Sequence, residues 1–396
     1  MRRHATVSLV LVVGCLLLAL PAVASAQGLN NVLIRALSPS GGTNCSELGG
    51  QANTRDSLNA LCGVGIGTGS AAGGTPSIDS QLGQTQEQRR QADRLAERRG
   101  GQGGSADQPG TGFGLFVNGD YQFLNKNTTQ FETGFEQHTA GTTVGLDYSF
   151  RGRAVLGAAI NYAHEFGDFA GANGGFDNDA FGLTLYGTVV PLDNLFVDGF
   201  VGYTRKEYSI KRKIFFQSPN NNLVAAGPID GDTHSDEFNV GTTIGYDFLL
   251  KNITVGPRVG VNYVDRRISG YRETGSTGLE LIYDNQNITS LTTSVGLFGS
   301  VAFSTRWGVL VPQATAEYVH EFFNDQRTVG FTLVDTISRP RLLFQTDVPD
   351  RNFFNLGLGA VFILPGGMST FVNVRELVGY STRRATTVTA GLRLAF

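Results

Sequence analysis

The 396-residue chain is 41% apolar but only 16% charged, and its 53 glycines are about twice the ~7% share of an average protein. Enough apolar residues are present to bury a core, which excludes a disordered chain. A net charge of −3, from 31 basic and 34 acidic side chains, lacks the positive excess of a nucleic-acid binder, so nucleic acid is not expected as a partner.

The N-terminus has the tripartite plan of a secretory signal peptide over residues 1–26. Arg2 and Arg3 come first, an apolar stretch runs from Val7 to Leu20, and Ala24 and Ala26 frame an A-x-A-like cleavage site before Gln27. A retained anchor helix is the competing reading, as is lipidation at Cys15 after Val12-Val13-Gly14. Removing the leader leaves 29 basic and 34 acidic residues and two cysteines, Cys45 and Cys62. In an oxidising compartment such a pair is most simply one small disulfide loop, against the alternative of two buried thiols. Past Ala26 no apolar run reaches the ~18 residues of a membrane helix, so any membrane span must be made of strands.

Residues 27–80 read as a short exported segment or linker, rich in Gly, Ser and Gln. From Gln81 to Arg99 strong helix formers dominate, and Gly100-Gly101 closes the run like a C-cap. This helix is polar on every side: Arg89, Arg90, Arg94, Arg98 and Arg99 stand against Glu87, Asp93 and Glu97. It has no apolar stripe to bury, which suits a wet lumen, and at ~1.5 Å per residue its length is comparable with a ~25 Å apolar band. A solvated linker is the plainer alternative. Residues 100–111 form a Gly-rich linker.

From residue 112 onward the chain alternates with period two. In 137–150, Ala140, Thr142, Val144, Leu146, Tyr148 and Phe150 oppose Gly141, Thr143, Gly145, Asp147 and Ser149. Near the end, Thr386, Val388, Ala390, Leu392, Leu394 and Phe396 oppose Thr387, Thr389, Gly391, Arg393 and Ala395. Period two predicts strands, and twelve are expected: 112–124, 137–150, 154–166, 177–190, 195–209, 234–250, 253–269, 286–303, 307–323, 350–364, 368–380 and 384–396. Tight connections at 151–153, 191–194, 251–252, 304–306 and 365–367 alternate with long ones at 125–136, 167–176, 210–233, 270–285 and 324–349. Short turns at one rim and long loops at the other is the plan of an outer-membrane barrel.

A soluble sandwich also has one apolar face per strand, but its strands are shorter than these. Aromatic residues gather near the segment ends, among them Tyr148, Phe150, Tyr162, Phe166, Tyr203, Phe248, Tyr263, Trp307, Tyr318, Phe322, Phe353, Phe354, Tyr380 and Phe396, as interfacial girdles would require. The expected fold is therefore all-β, a 12-stranded antiparallel transmembrane barrel over 112–396 with a polar helix, 81–99, in the pore. Closing the last strand on the first removes the free edge that lipid would not tolerate. The inward face is expected to be Gly, Thr, Ser, Asp and Asn, with Asp147 and Asp247 available to the helix arginines.

Three stretches resemble one family. Trp307-Gly-Val-Leu-Val-Pro-Gln-Ala-Thr-Ala-Glu-Tyr-Val-His-Glu-Phe322, Phe353-Phe-Asn-Leu-Gly-Leu-Gly-Ala-Val-Phe-Ile-Leu-Pro-Gly-Gly367 and Thr389-Ala-Gly-Leu-Arg-Leu-Ala-Phe396 are similar to the late strands of the translocator barrel of type V autotransporters. The resemblance implies a pore helix leading to an exported passenger, and insertion into the outer membrane of a Gram-negative bacterium by the barrel-assembly machinery, with Leu392, Leu394 and Phe396 as the terminal signal. Periplasmic chaperones, outer-membrane lipid and lipopolysaccharide are the expected partners of a monomer. The passenger would be unusually short, without the β-helix repeat of longer ones. The pore helix has no Asn-Asn pair of the kind that some members cleave, so no such cut is expected.

No enzyme, cofactor or metal is expected. His164-Glu165 and His320-Glu321 sit in matching Tyr-x-His-Glu-Phe contexts, but adjacent strand residues face opposite ways and the H-E-x-x-H spacing is absent. His138 or His234 with Asp147 or Asp247 is too loose a set for a lumen catalyst. The glycines at 63, 65 and 67 read as linker rather than a phosphate loop, and the basic run Arg205-Lys-Glu-Tyr-Ser-Ile-Lys-Arg-Lys213 as a solvated rim rather than a lipopolysaccharide or glycan site. The expected function is a barrel that exports and anchors its own short N-terminal segment. The alternatives are a channel with a plugged lumen, or an adhesin acting through the loops at 210–233 and 324–349.

Overall fold

The structure is a computed structural model, and it describes residues 112–395 apart from 130, 151–152, 173, 193, 218–222, 324 and 335–340. Twelve long strands make the wall: β1 (Gly112–Lys126), β2 (Phe135–Phe150), β3 (Ala154–Phe169), β4 (Gly174–Leu192), β5 (Leu195–Gln217), β6 (Leu223–Tyr246), β7 (Ile253–Ile268), β8 (Gln286–Val301), β9 (Gly308–Glu321), β10 (Asn352–Ile363), β11 (Met368–Val378) and β12 (Arg383–Ala395). Each pairs antiparallel with its sequence neighbours. The sheet closes where β1 meets β12, in unbroken register from Gly114↔Ala395 to Lys126↔Arg383. Closure leaves no strand edge facing hydrocarbon, where an unpaired amide would cost several kcal/mol. Among the described residues no helix is long and apolar enough to cross a membrane; the strands do so.

Period two decides which residues face out. On β3, Leu156, Ile160, Tyr162 and Phe166 are exposed, while Val155, Ala159, Asn161, Ala163 and Glu165 are buried. The wall presents its apolar side to the surroundings, the reverse of a soluble protein. Near the short-turn rim Phe113, Tyr148 and Phe150 pack edge to face at 5.0 and 4.8 Å, and Tyr246 meets Phe248 at 4.9 Å. At the other rim Tyr162 and Phe181, and Tyr318 and Phe354, do the same. Phe353 departs from the expected girdle: it is one residue out of phase with Phe354 and faces the bore. Tyr380 packs against the core of the mouth.

The inward face also departs from expectation, because it carries aromatic rings. Phe116, Tyr186 and Phe200 are buried around Ala159. They fit because glycine lies beneath them. A Cβ on Gly145 would come within 2.3 Å of the Phe116 ring, and one on Gly157 within 2.4 Å of the Tyr186 ring. Bare backbone there lets a ring lie flat across the neighbouring strand and pin the register.

Two of the expected long loops are largely strand. β5 and β6 stay paired from Leu195↔Tyr246 to Gln217↔Leu223, so 210–217 and 223–233 are mostly strand that continues past the last pairs with the neighbouring wall strands, Gly174↔Arg212 and Ser235↔Ile268. β3 and β4 likewise take up most of 167–176. The loops after β7 and after β9 fold together into a second, four-stranded sheet: Leu281–Tyr283 pairs with Tyr271–Arg272 and Thr328–Leu333, and the latter with Leu342–Gln345.

Candidate functional site: the lumen and its outer mouth

The bore is lined by side chains of the inward parity, and several of its charges are paired across strands. Near the short-turn rim Arg393 of β12 grips Asp147 of β2 with two hydrogen bonds of 2.7 and 2.8 Å, and the Tyr186 hydroxyl donates to the same carboxylate at 3.2 Å. Arg258 of β7 pairs with Asp247 while its guanidinium lies 4.5 and 5.0 Å from the Phe196 and Phe298 ring centres. Both carboxylates expected to serve the pore helix thus have arginine partners in the wall. Higher up, Lys206 of β5 donates to Glu165 of β3 at 2.8 Å, and Arg266 of β7 to Glu237 of β6 at 2.6 Å.

The basic run 205–213 is therefore split by strand parity, which corrects its reading as a solvated rim. Lys206 and Arg212 point into the barrel and are buried; Arg205, Lys211 and Lys213 point outward, with Arg205 bound to Glu207 at 2.7 Å. The His-Glu pairs divide the same way. Glu165 and Glu321 face the bore. His164 and His320 stay on the outer wall, bonded to Asp179 at 3.1 Å and Asn352 at 2.8 Å. His164, Asp177 and Asp179 offer ligand atoms within 4.8 Å of one another on that outer surface. His138 stacks on Phe166, and His234 hydrogen-bonds Ser269 at 3.0 Å, so neither is assembled with Asp147 or Asp247 into a catalytic set.

At the long-loop rim the four-stranded sheet closes the mouth. One apolar core contains Tyr271, Leu279, Leu281, Tyr283, Phe331 and Phe344 of the sheet together with inward residues of the wall: Leu124 (β1), Phe135 (β2), Phe169 (β3), Ile210 (β5), Ile229 (β6), Val319 (β9), Phe353 (β10), Leu377 (β11) and Ala385 (β12). A cluster reaching wall residues all round the circumference exists only if the sheet lies across the bore. Sequence reading missed it, because no single loop carries enough apolar residues to look like a folded unit. Charged contacts fasten it. Arg212 of β5 forks onto Glu273 at 3.0 and 2.5 Å and also donates to the Leu279 carbonyl at 3.2 Å. Lys126 of β1 joins Glu132 at 2.6 Å and Asp347 at 2.8 Å, and the Thr129 hydroxyl donates to Asp347 at 2.5 Å.

Tyr271 and Tyr283 stack inside this core at 4.7 Å. Burial holds both phenols neutral well past their ordinary range, and the nearby Glu273 carboxylate adds to the effect. A phenol whose pKa is raised on folding stabilises fully below the unfolded value of about 10 and progressively less as pH rises above it. Alkaline titration of the ultraviolet phenolate absorbance is thus expected in two stages, the later accompanying loss of the mouth. Tyr283→Phe should shrink only the later stage; a smaller first stage would contradict the assignment.

The sequence model of the autotransporter beta-domain family matches residues 115–375. The chain belongs to that family. Its barrel is 15% identical to the translocator domain of the autotransporter NalP from Neisseria meningitidis, with a TM-score of 0.58 over 78% of this chain and 98% of that one. Against the beta domain of the Bordetella autotransporter BrkA the values are 16%, 0.52, 72% and 100%. Among curated relatives, outer membrane protein B of Rickettsia japonica is 24% identical over 266 residues, which are 63% of this chain and 15% of that protein. YaiT of Salmonella typhimurium is 23% identical over 274 residues, 67% of this chain and 24% of that protein. This autotransporter barrel is a protein of the Gram-negative outer membrane.

Of the residues singled out in the autotransporter reading, Leu392 and Leu394 stand exposed on the outer face of β12. Phe396, Cys45 and Cys62, and the helix arginines Arg89, Arg90, Arg94, Arg98 and Arg99 lie outside the described residues.

Proposed function

We propose that this barrel exports its own N-terminal segment, residues 27–80, through the bore and anchors it at the cell surface, with 81–99 left inside as the polar pore helix. The observation that carries the reading is the closed twelve-stranded wall with a polar bore in which several charges pair across strands, Asp147 with Arg393, Glu165 with Lys206 and Glu237 with Arg266. A small Cys45–Cys62 loop is narrow enough to pass. The work of the barrel is transport and anchoring, and the exported segment supplies whatever surface activity there is.

Insertion depends on the barrel-assembly machinery reading Leu392, Leu394 and Phe396, with periplasmic chaperones delivering the chain. The barrel then sits as a monomer among lipid and lipopolysaccharide. The apolar core across the mouth argues against a permanently open channel, and the inward packing of Thr328–Leu333 and Leu342–Gln345 leaves a loop adhesin mainly the extended β5–β6 pair.

Protease treatment of intact cells carrying an epitope tag directly after Gln27 tests this. The tag is expected to disappear while the barrel persists. A tag that survives until the outer membrane is permeabilised would refute export and favour the channel reading.

A further inference from the structure

We propose that the four-stranded mouth sheet is a displaceable gate, latched to β1 and β5 by buried charges, which swings out while chain is drawn through and reseats beside the retained segment afterwards. The inference rests on the export reading for its purpose, though not for its mechanics. Leu279, Leu281, Phe331 and Leu333 are at most 1% exposed, so the seated sheet is tightly packed at this level and must move aside for a chain to be drawn past it.

The construction favours movement as a unit. Backbone pairing within the sheet joins the loop after β7 to the loop after β9, so the two travel together. The covalent roots of both are confined to one third of the rim, on β7, β8, β9 and β10. Beyond that third the described backbone pairing with the wall is a two-residue contact, Thr274↔Asp230 and Gly275↔Ile229 on β6. The rest of the hold on distant strands is made by side chains. Apolar contacts reach across to β1, β2 and β12, and two polar latches hold it to separate strands, Arg212 of β5 with Glu273 and Lys126 of β1 with Asp347. Loss of Arg212 strands the buried Glu273 charge, and loss of the Asp347 charge releases Lys126 to Glu132 alone, so the latches are where a local change loosens the sheet most without touching the strand ladder.

The test uses the full chain in intact cells, with Cys45→Ser and Cys62→Ser and a reporter thiol from Leu279→Cys, probed by a membrane-impermeant maleimide. With the latches intact, labelling is expected to be slow. Arg212→Gln together with Asp347→Asn should speed it by about tenfold or more, with the heat-dependent gel shift of the barrel unchanged. Asp347→Asn alone gives a smaller gain and serves if the double variant fails to assemble. Exchanging the charges, Arg212→Glu with Glu273→Arg, should restore protection.

A chain bearing a tightly folded domain ahead of residue 27, stalled in the bore, should label at the fast rate. Latch variants that label as slowly as the parent would overturn the gate, whatever becomes of residue 27. Fast labelling in the latch variants with a protected stalled chain would keep the sheet mobile but remove it from the export path, and so overturn the proposal as well.

Discussion

Arginine in place of both Ile160 and Leu358 is expected to abolish recovery of the folded barrel from the outer-membrane fraction. Ile160 is 63% exposed on β3 and Leu358 69% exposed on β10, each near the middle of its strand and facing outward. An arginine at the bilayer midplane of a barrel costs roughly 2–4 kcal/mol. The two positions lie on non-adjacent strands and their effects should add to about 4–8 kcal/mol, a large part of the ~5–15 kcal/mol that holds an ordinary fold together. On a water-facing surface the same substitutions would be close to neutral. Gln313→Arg, on the bore side of β9, is the matched control and should assemble normally. A double variant that is recovered in full, with its heat-dependent gel shift intact, would show that the apolar face does not touch lipid.

The second large effect concerns Arg266 and Glu237, both about 1% exposed and bonded to each other inside the bore. Arg266→Met is expected to lower the stability of the detergent-solubilised barrel to urea by roughly 3–5 kcal/mol, since Glu237 is left charged and buried without its partner. Removing both, Arg266→Met with Glu237→Leu, should recover most of the loss, because two desolvation costs vanish together with one attraction. If the single and double variants unfold at the same urea concentration as the parent, the pair is solvated and the bore is wetter at that depth than its geometry implies. If the double variant is as weak as the single, the loss lies in packing rather than charge.

Particular residues show how far the sequence could be read. Leu146 against Asp147, or Leu394 against Arg393, betray their faces by alternation alone, because pleating forces neighbours to opposite sides whatever the rest of the chain does. The same logic separates His164 from Glu165 and removes the metal motif that their adjacency suggests. It also foretells the split of the 205–213 basic run, in which even-numbered Lys206 and Arg212 share one face, but that consequence is easily passed over when the run is read as a cluster. Phe116 beside Gly145 carries no such signal. An inward ring is tolerable only where a strand neighbour brings bare backbone beneath it, and that neighbour lies 29 positions away.

Local periodicity by itself determined the strand number, the outward apolar face and the alternation of short and long connections, since each depends on residues near one another in the chain. Only the tertiary structure decided which charges neutralise each other and what closes the bore. Arg393 finds Asp147 across 246 positions, and Lys126 finds Asp347 across 221, because the barrel's first and last strands meet at β1 and β12 and the late loops fold back over that seam. Pairings of that span are set by closure of the whole sheet, and no stretch of sequence short enough to show a pattern contains both partners.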